Sequence, residues 1–150
     1  MNLKRTSLLL AALLAMTSAV AQTMKPEDQI AIRQAAYTLM GYSFGGIAAM
    51  AQGKRPYNKE EAIKDADLLV QVAALPQNFF GEGTDKGDTR AKPEIWTKRA
   101  EFDDKMKKML AEVAKLPEVT RTGDLEAIKV QAKATGSACG ACHDEFRIKR

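Results

Sequence analysis

The chain contains few residues that bind soft metal ions: two cysteines and one histidine among 150 residues. A structural zinc site takes four protein ligands, so these three residues fall short of one. There is also no second histidine that could act as an acid–base partner in catalysis. No internal repeat, low-complexity linker or alternating strand pattern is evident, which argues against repeat arrays and β-rich folds.

Long apolar runs are also missing, apart from a short one near the N-terminus. Residues 8–16 are apolar, follow Lys4 and Arg5, and precede a small-x-small sequence at residues 19–21. A run of about nine residues is too short to cross a hydrocarbon core of roughly 30 Å. The pattern predicts a cleaved signal peptide over residues 1–21, in preference to an uncleaved anchor, and export of residues 22–150 to the periplasm. We expect no membrane insertion of the mature chain.

Neither sign of charge dominates the sequence. There are 23 basic and 19 acidic residues. Two of the 23 basic residues lie in the predicted signal peptide, which leaves 21 against 19 and a net charge of +2 for residues 22–150. The lysines at 105, 107 and 108 follow a helical pattern, where a solvated face is the ordinary explanation. We therefore expect no nucleic-acid partner.

Apolar residues at spacings of three and four predict four helices, at about residues 26–52, 58–76, 93–117 and from 124 onward. Asn58 is a favourable N-cap, with Glu61 as its capping-box partner. The glycine-rich stretch of residues 77–92 is long for a loop in a compact domain, so it is either mobile or wrapped over something. The expected fold is all-α, an antiparallel four-helix bundle formed by the single domain of residues 22–150.

The chemistry is concentrated in Cys139-Gly140-Ala141-Cys142-His143, which has the C-x-x-C-H pattern of covalent haem attachment. Residues three apart lie on one helix face, so both thiols can reach the two vinyl groups of one porphyrin edge. His143 follows directly and is the expected proximal iron ligand. A thioredoxin-like redox pair would need a βαβ pattern, which the chain lacks. A plain structural disulfide remains the other reading of the two cysteines in an exported protein.

Further segments accompany this motif: residues 25–28 leading to Arg33 and Gln34, Pro56-Tyr57, residues 74–76, residues 93–96, and Phe146 with Arg147. Together they resemble the cytochrome c′ family, four-helix c-type cytochromes whose haem is attached near the C-terminus. The resemblance covers essentially all of residues 22–150. It implies one covalently attached haem c per chain and a homodimer formed through the first helix.

The distal iron ligand cannot be a second imidazole, because the chain has one histidine. The remaining options are a methionine, a weak oxygen ligand or an empty distal position. The resemblance aligns Tyr37 with the position where low-spin relatives carry a ligating methionine, so Tyr37 is expected to cap an empty distal site. Met40 lies one turn later and is expected to pack nearby. Both could instead be ordinary core residues, since methionine on a helical stripe is more often core than ligand.

The resemblance also implies roles for residues around the haem. Arg33 is expected to pair with a haem propionate and Gln34 to border the haem. Arg147 is expected to flank the imidazole, Phe80 to line the pocket and Asp88 to approach the propionate edge. The ordinary alternatives are an exposed helical charge for Arg33 and plain core packing for Phe80.

These observations predict a periplasmic cytochrome with a high-spin, five-coordinate haem. It would bind small uncharged gases, nitric oxide and carbon monoxide, and could transfer electrons to a redox partner that the sequence does not identify. The alternative is a six-coordinate, low-spin electron carrier of the same fold with a methionine distal ligand. We do not expect an enzyme, because catalytic turnover calls for a distal acid–base pair.

Overall fold

The computed structural model describes residues 24–149, and this region is predominantly helical. The predicted signal peptide, residues 1–21, lies outside the described residues. The chain forms six α-helices within 24–149: α1 (Pro26–Ala51), α2 (Lys59–Ala73), α3 (Glu94–Thr97), α4 (Arg99–Val113), α5 (Leu116–Thr122) and α6 (Leu125–Phe146). A 3-10 helix, Pro76–Phe79, follows α2.

The four long helices pack as an antiparallel bundle, which confirms the predicted fold. Helix α1 contacts α2 and α6, and α4 contacts α6 and α2, so the four helices surround one interior. The short α5 packs across α2 and α6 at one end. In the region from 24 to 149, backbone pairing of the β type is limited to one isolated bridge, between Ala91 and Arg147. No helix in that region has both the length and the apolar character that a membrane span requires.

Local signals set the beginnings of α2 and α6. The Asn58 side chain accepts a hydrogen bond from the backbone N–H of Glu61 at 3.1 Å, as predicted. The prediction that the Glu61 carboxylate accepts from the Asn58 N–H is wrong. The Glu61 carboxylate pairs with Arg55, and the Asn58 N–H donates to Met50 Sδ. At α6, the Asp124 carboxylate accepts from the backbone N–H groups of the first turn, so this helix begins where the pattern predicted.

The third predicted helix is broken in the structure. The backbone leaves helical geometry at Lys98, which separates α3 from α4. Just before the break, the indole Nε1–H of Trp96 donates to the backbone carbonyls of Phe80 and Gly81, which ties α3 to the preceding loop. Pro117 does not close the segment either. It lies in the first turn of α5, where a missing N–H has no cost.

The core is closely packed at the end of the bundle away from the α6 C-terminus. There Ile47 of α1 and Ile128 of α6 are fully buried with Ala66 of α2, whose small side chain lets the helices approach closely. Helices α1 and α6 meet at Phe44 and Gly136, where a Cβ on the glycine would lie 3.5 Å from Phe44 Cζ. Beyond this contact the same two helices border a cavity.

Candidate functional site

A cavity of about 530 Å³ occupies the end of the bundle where α6 finishes. Most of its lining residues come from α1, α4, α6 and the loop of residues 80–92, with Leu69 of α2 and Ile95 of α3 beside them. The volume falls in the range of roughly 300–1,000 Å³ that is typical of small-molecule and cofactor sites. Buried apolar side chains of α4 form the floor: Phe102, Met106, Met109 and Val113.

The α6 wall carries the two cysteines and the histidine. Cys139 and Cys142 are half-buried and their thiols are free. Burial raises the pKa of both thiols. Burial lowers the pKa of His143, and the positive charges of Arg147 and Arg90 lower it further. The imidazole is therefore held neutral, with a lone pair that can bind a metal ion.

The α1 wall faces these groups with an uncharged surface formed by Tyr37, Met40 and Phe44. Burial is the main reason that the pKa of Tyr37 rises well above its usual value, and the negative charge that Cys142 can carry acts in the same direction. The phenol is thus neutral across the physiological range. Met40 is more deeply buried than Tyr37 and belongs to the core cluster.

Arg33 lies at the inner side of the loop with 2 % of its surface exposed. Its guanidinium donates to the carbonyls of Phe79 at 2.9 Å and Thr84 at 2.7 Å, and to Thr89 Oγ1 at 2.7 Å. Three of its five N–H groups are used in this way. Burial lowers the pKa of Arg33, but an arginine remains charged in proteins.

The loop of residues 80–92 is fastened to both walls of the cavity. On the α1 side, Gln34 Nε2 donates to the Asp88 carbonyl at 2.7 Å. On the α6 side, the backbone of Ala91 pairs with that of Arg147, and the Lys92 N–H donates to the Phe146 carbonyl at 3.0 Å. Of the two readings that the sequence allowed, the structure therefore shows a loop wrapped over the site.

Aromatic rings fill the space between the loop and the floor of the cavity. Phe80 packs on Trp96, and it packs edge-on against Phe102, with centroids 4.9 Å apart. Phe102 in turn packs edge-on against Phe146. Phe80 thus lines the cavity and also belongs to the core cluster.

All of the residues singled out in the sequence line this one cavity: Arg33, Gln34, Tyr37, Met40, Phe80, Asp88, Cys139, Cys142, His143 and Arg147. Sequence reasoning missed the participation of Thr38, Gly41, Thr89 and Arg90. Met106 and Met109 were visible only as members of an apolar helical stripe, which is the same signal that any core residue gives.

The donor set fits a cofactor better than a bare metal ion. No three His, Cys, Asp or Glu side chains converge on a metal site anywhere in residues 24–149. A metal held by His143 alone would need its other ligands from the cofactor, and a porphyrin supplies four nitrogens. The two thiols lie three residues apart on the same helix and border the same largely apolar cavity. Fold and site together define a four-helix cytochrome of the c type.

Comparison with known proteins gives the family. The family model described as Cytochrome C' matches residues 28–147, and the chain belongs to the cytochrome c′ family. The cytochrome c′ of Rubrivivax gelatinosus is 44 % identical over 129 residues, which cover 85 % of this chain and all of that protein. The cofactor of the chain is accordingly a covalently attached haem c.

Solved structures agree with this assignment. The crystal structure of the Rubrivivax gelatinosus protein matches with a TM-score of 0.79 at 44 % identity, covering 84 % of this chain and 99 % of that chain. A nitric oxide complex of a mutant cytochrome c prime from Alcaligenes xylosoxidans matches with a TM-score of 0.78 at 35 % identity, covering 86 % of this chain and all of that chain.

Proposed function

We propose that this protein is a periplasmic haem protein that binds small uncharged gases at a five-coordinate iron, with electron transfer as a secondary capacity. The observation that carries the proposal is the neutral, half-buried Tyr37 on the wall opposite the cysteines. A neutral phenol is a poor iron ligand, and its ring obstructs larger molecules. The chain has no second histidine to fill the distal position.

The attachment is assigned to α6. Cys139 and Cys142 would each hold the porphyrin through one thioether, and such a bond, made by adding S–H across a vinyl group, needs no oxidant. His143 supplies the proximal nitrogen, and burial keeps it neutral for that role. The bound haem supplies an iron centre that cycles between the ferric and ferrous states.

The remaining residues of the cavity bind and orient the cofactor in this proposal. Arg33 has two N–H groups beyond those that hold the loop, and these are available to a propionate. Gln34 and Asp88 lie at the exposed edge near the same loop. Arg147 borders the cavity and acts on the proximal imidazole through its charge. The uncharged surface of Tyr37, Met40 and Phe44 favours nitric oxide and carbon monoxide over anions.

A second candidate is the low-spin electron carrier with a methionine ligand. It has a specific observation in its favour, because three buried methionines border the cavity: Met40, Met106 and Met109. A thioether on iron would raise the reduction potential and leave no site for gases. We rank it second because Met40 is packed in the core cluster and Tyr37 occupies the aligned position.

The optical spectrum of the holoprotein separates the two candidates. We expect a high-spin ferric spectrum and a change in the ferrous spectrum when carbon monoxide or nitric oxide is added. A low-spin ferric spectrum with a methionine-to-iron band, insensitive to both gases, would replace the first candidate with the second. Catalytic turnover of peroxide or nitric oxide is not part of the proposal.

Export and pairing complete the proposal. A mass measurement on protein recovered from the periplasm should correspond to a chain that begins at Gln22, plus one haem. We also propose a homodimer through α1, whose outer face exposes Ile32, Leu39 and Tyr42. These three residues recur at spacings of seven and three, so they lie on one side of the helix. The sequence alone drew no attention to this face.

A further inference from the structure

The mouth of the cavity follows one edge of α1. Five residues both line the cavity and are exposed: Gln34, Thr38, Gly41, Asp88 and Arg147. Three of them, Gln34, Thr38 and Gly41, recur on α1 at spacings of four and three and therefore form a single line. Gly41 is the last of the three, so the mouth ends beside it.

The contact between Phe44 and Gly136 closes the mouth just beyond Gly41. That contact brings α1 and α6 together one turn further along α1. Gly41 therefore lies at the inner corner where the two helices begin to separate. A side chain at this corner would project over the space next to Tyr37 and Met40, which belong to the same wall.

Helix packing does not explain why position 41 is a glycine. A Cβ on Gly46 would collide with the Asp65 carboxylate, and a Cβ on Gly136 would make an ordinary van der Waals contact with the Phe44 ring. A Cβ on Gly41 would meet no atom within 4 Å. Glycine within a helix is less favourable than alanine by about 1 kcal/mol. Gly45 has equally empty surroundings, and what distinguishes Gly41 is that it also lines the cavity.

The two ends of the mouth differ in charge. Asp88, Arg90 and Arg147 border the cavity at the loop end. Near Gly41 the lining side chains of α1 are uncharged, and Arg33, the charged residue of that wall, lies roughly two turns away. A small uncharged molecule loses little solvation at the Gly41 corner, whereas the loop end suits ions and the polar edge of the cofactor.

We propose that Gly41 forms the entry through which small uncharged ligands reach the Tyr37 side of the cavity, and that its missing side chain sets the rate of their passage. The inference rests on the proposed gas binding and adds the route to it. Ile32 and Leu39 of the exposed face point roughly 160–180° away from Gly41 around the helix axis, and Tyr42 points about 100° away. A partner chain centred on Ile32 and Leu39 would lie on the opposite side of α1 from this entry.

Carbon monoxide kinetics on the ferrous holoprotein test the route. Gly41→Leu places a branched side chain over the corner, and we expect the association rate constant to fall about tenfold. Because a gate acts equally on both directions, the dissociation rate constant should fall by the same factor and the affinity should stay constant. Gly41→Ala adds one methyl group and should slow both rates in the same direction by about twofold to threefold.

Gly45→Leu is the matched control. Gly45 lies on the same helix, is exposed, has no atom within 4 Å of a built Cβ and does not line the cavity. Its rates should equal those of the unsubstituted protein. Three results would overturn the proposal that Gly41 is the entry. They are unchanged rates in both Gly41 variants, equal slowing in Gly45→Leu, and a loss of affinity through faster dissociation. Failure of the unsubstituted protein to bind carbon monoxide at all would instead overturn the proposed function.

Discussion

The guanidinium of Arg33 lies 4.5 Å from the centroid of the Phe80 ring, in the position of a cation–π contact. The same side chain holds the carbonyls on both sides of this ring in the sequence, those of Phe79 and Thr84. A buried cation is thus surrounded by an aromatic face and by backbone oxygens. Arg33 therefore organises the loop and also lines the cavity.

Replacing Arg33 should loosen the loop. Arg33→Met keeps much of the volume but leaves buried carbonyls without a donor, at about 1–3 kcal/mol for each such group. We expect the free energy of unfolding of the holoprotein to fall by about 2–4 kcal/mol in urea, with faster hydrogen exchange in residues 80–92. Gln34→Ala, which removes one exposed bond, should cost less than about 1 kcal/mol. Equal losses in the two variants would contradict the anchoring role.

Tyr37 should act by obstruction. Tyr37→Ala removes the ring from the α1 wall, so carbon monoxide should associate with the ferrous protein about tenfold faster or more. Tyr37→Phe keeps the ring and should change the rate by less than about twofold. An unchanged rate in Tyr37→Ala would show that the ring does not cap the iron. A large change in Tyr37→Phe would assign the effect to the hydroxyl group.

The attachment can be tested by counting covalent bonds. Either single variant, Cys139→Ser or Cys142→Ser, keeps one thioether, so haem should still migrate with the chain on a denaturing gel. The double variant should lose it, although noncovalent haem can still occupy the cavity before denaturation. Haem that stays with the chain in the double variant would disprove the assignment.

Pairing through α1 should depend on its exposed apolar side chains. Leu39→Glu puts a charge at the centre of the Ile32–Tyr42 face, and we expect sedimentation to show a monomer at concentrations where the unsubstituted protein is a dimer. Val70→Glu is the control, because Val70 is exposed to a similar extent on α2. Dissociation by Val70→Glu with Leu39→Glu still dimeric would move the interface to another helix.

Much of the fold could be predicted because its signals are local. The Asp124 cap and the stripe that includes Ile128 and Cys139 depend on residues within one helix, so the sequence alone marks α6 well. The break at Lys98 could not be predicted in this way. It accompanies hydrogen bonds from Trp96 to a loop distant in sequence, and no spacing within the segment encodes them.

The site residues also divide into those that local sequence predicts and those that it does not. The cysteine motif could be recognised because its residues are contiguous, and the other positions came from a family resemblance. Arg33 was expected to face a propionate, but its contacts with Thr84 and Thr89 arise only when the loop folds back over α1. No spacing in the sequence marks Gly41 as a residue at the edge of a cavity. Its place at the cavity edge depends on how α1 and α6 diverge, which is a property of the packed bundle.

The contact between Phe44 and Gly136 also has a consequence for assembly. Its two residues belong to the first and the last helix, so the cavity cannot form until nearly the whole chain is available. Contacts between distant parts of a chain carry a larger entropic cost of loop closure and tend to form late. A chain in which this contact has not yet formed leaves the thiols of α6 accessible, so the apolar cofactor can be joined to it before the bundle closes around the cavity.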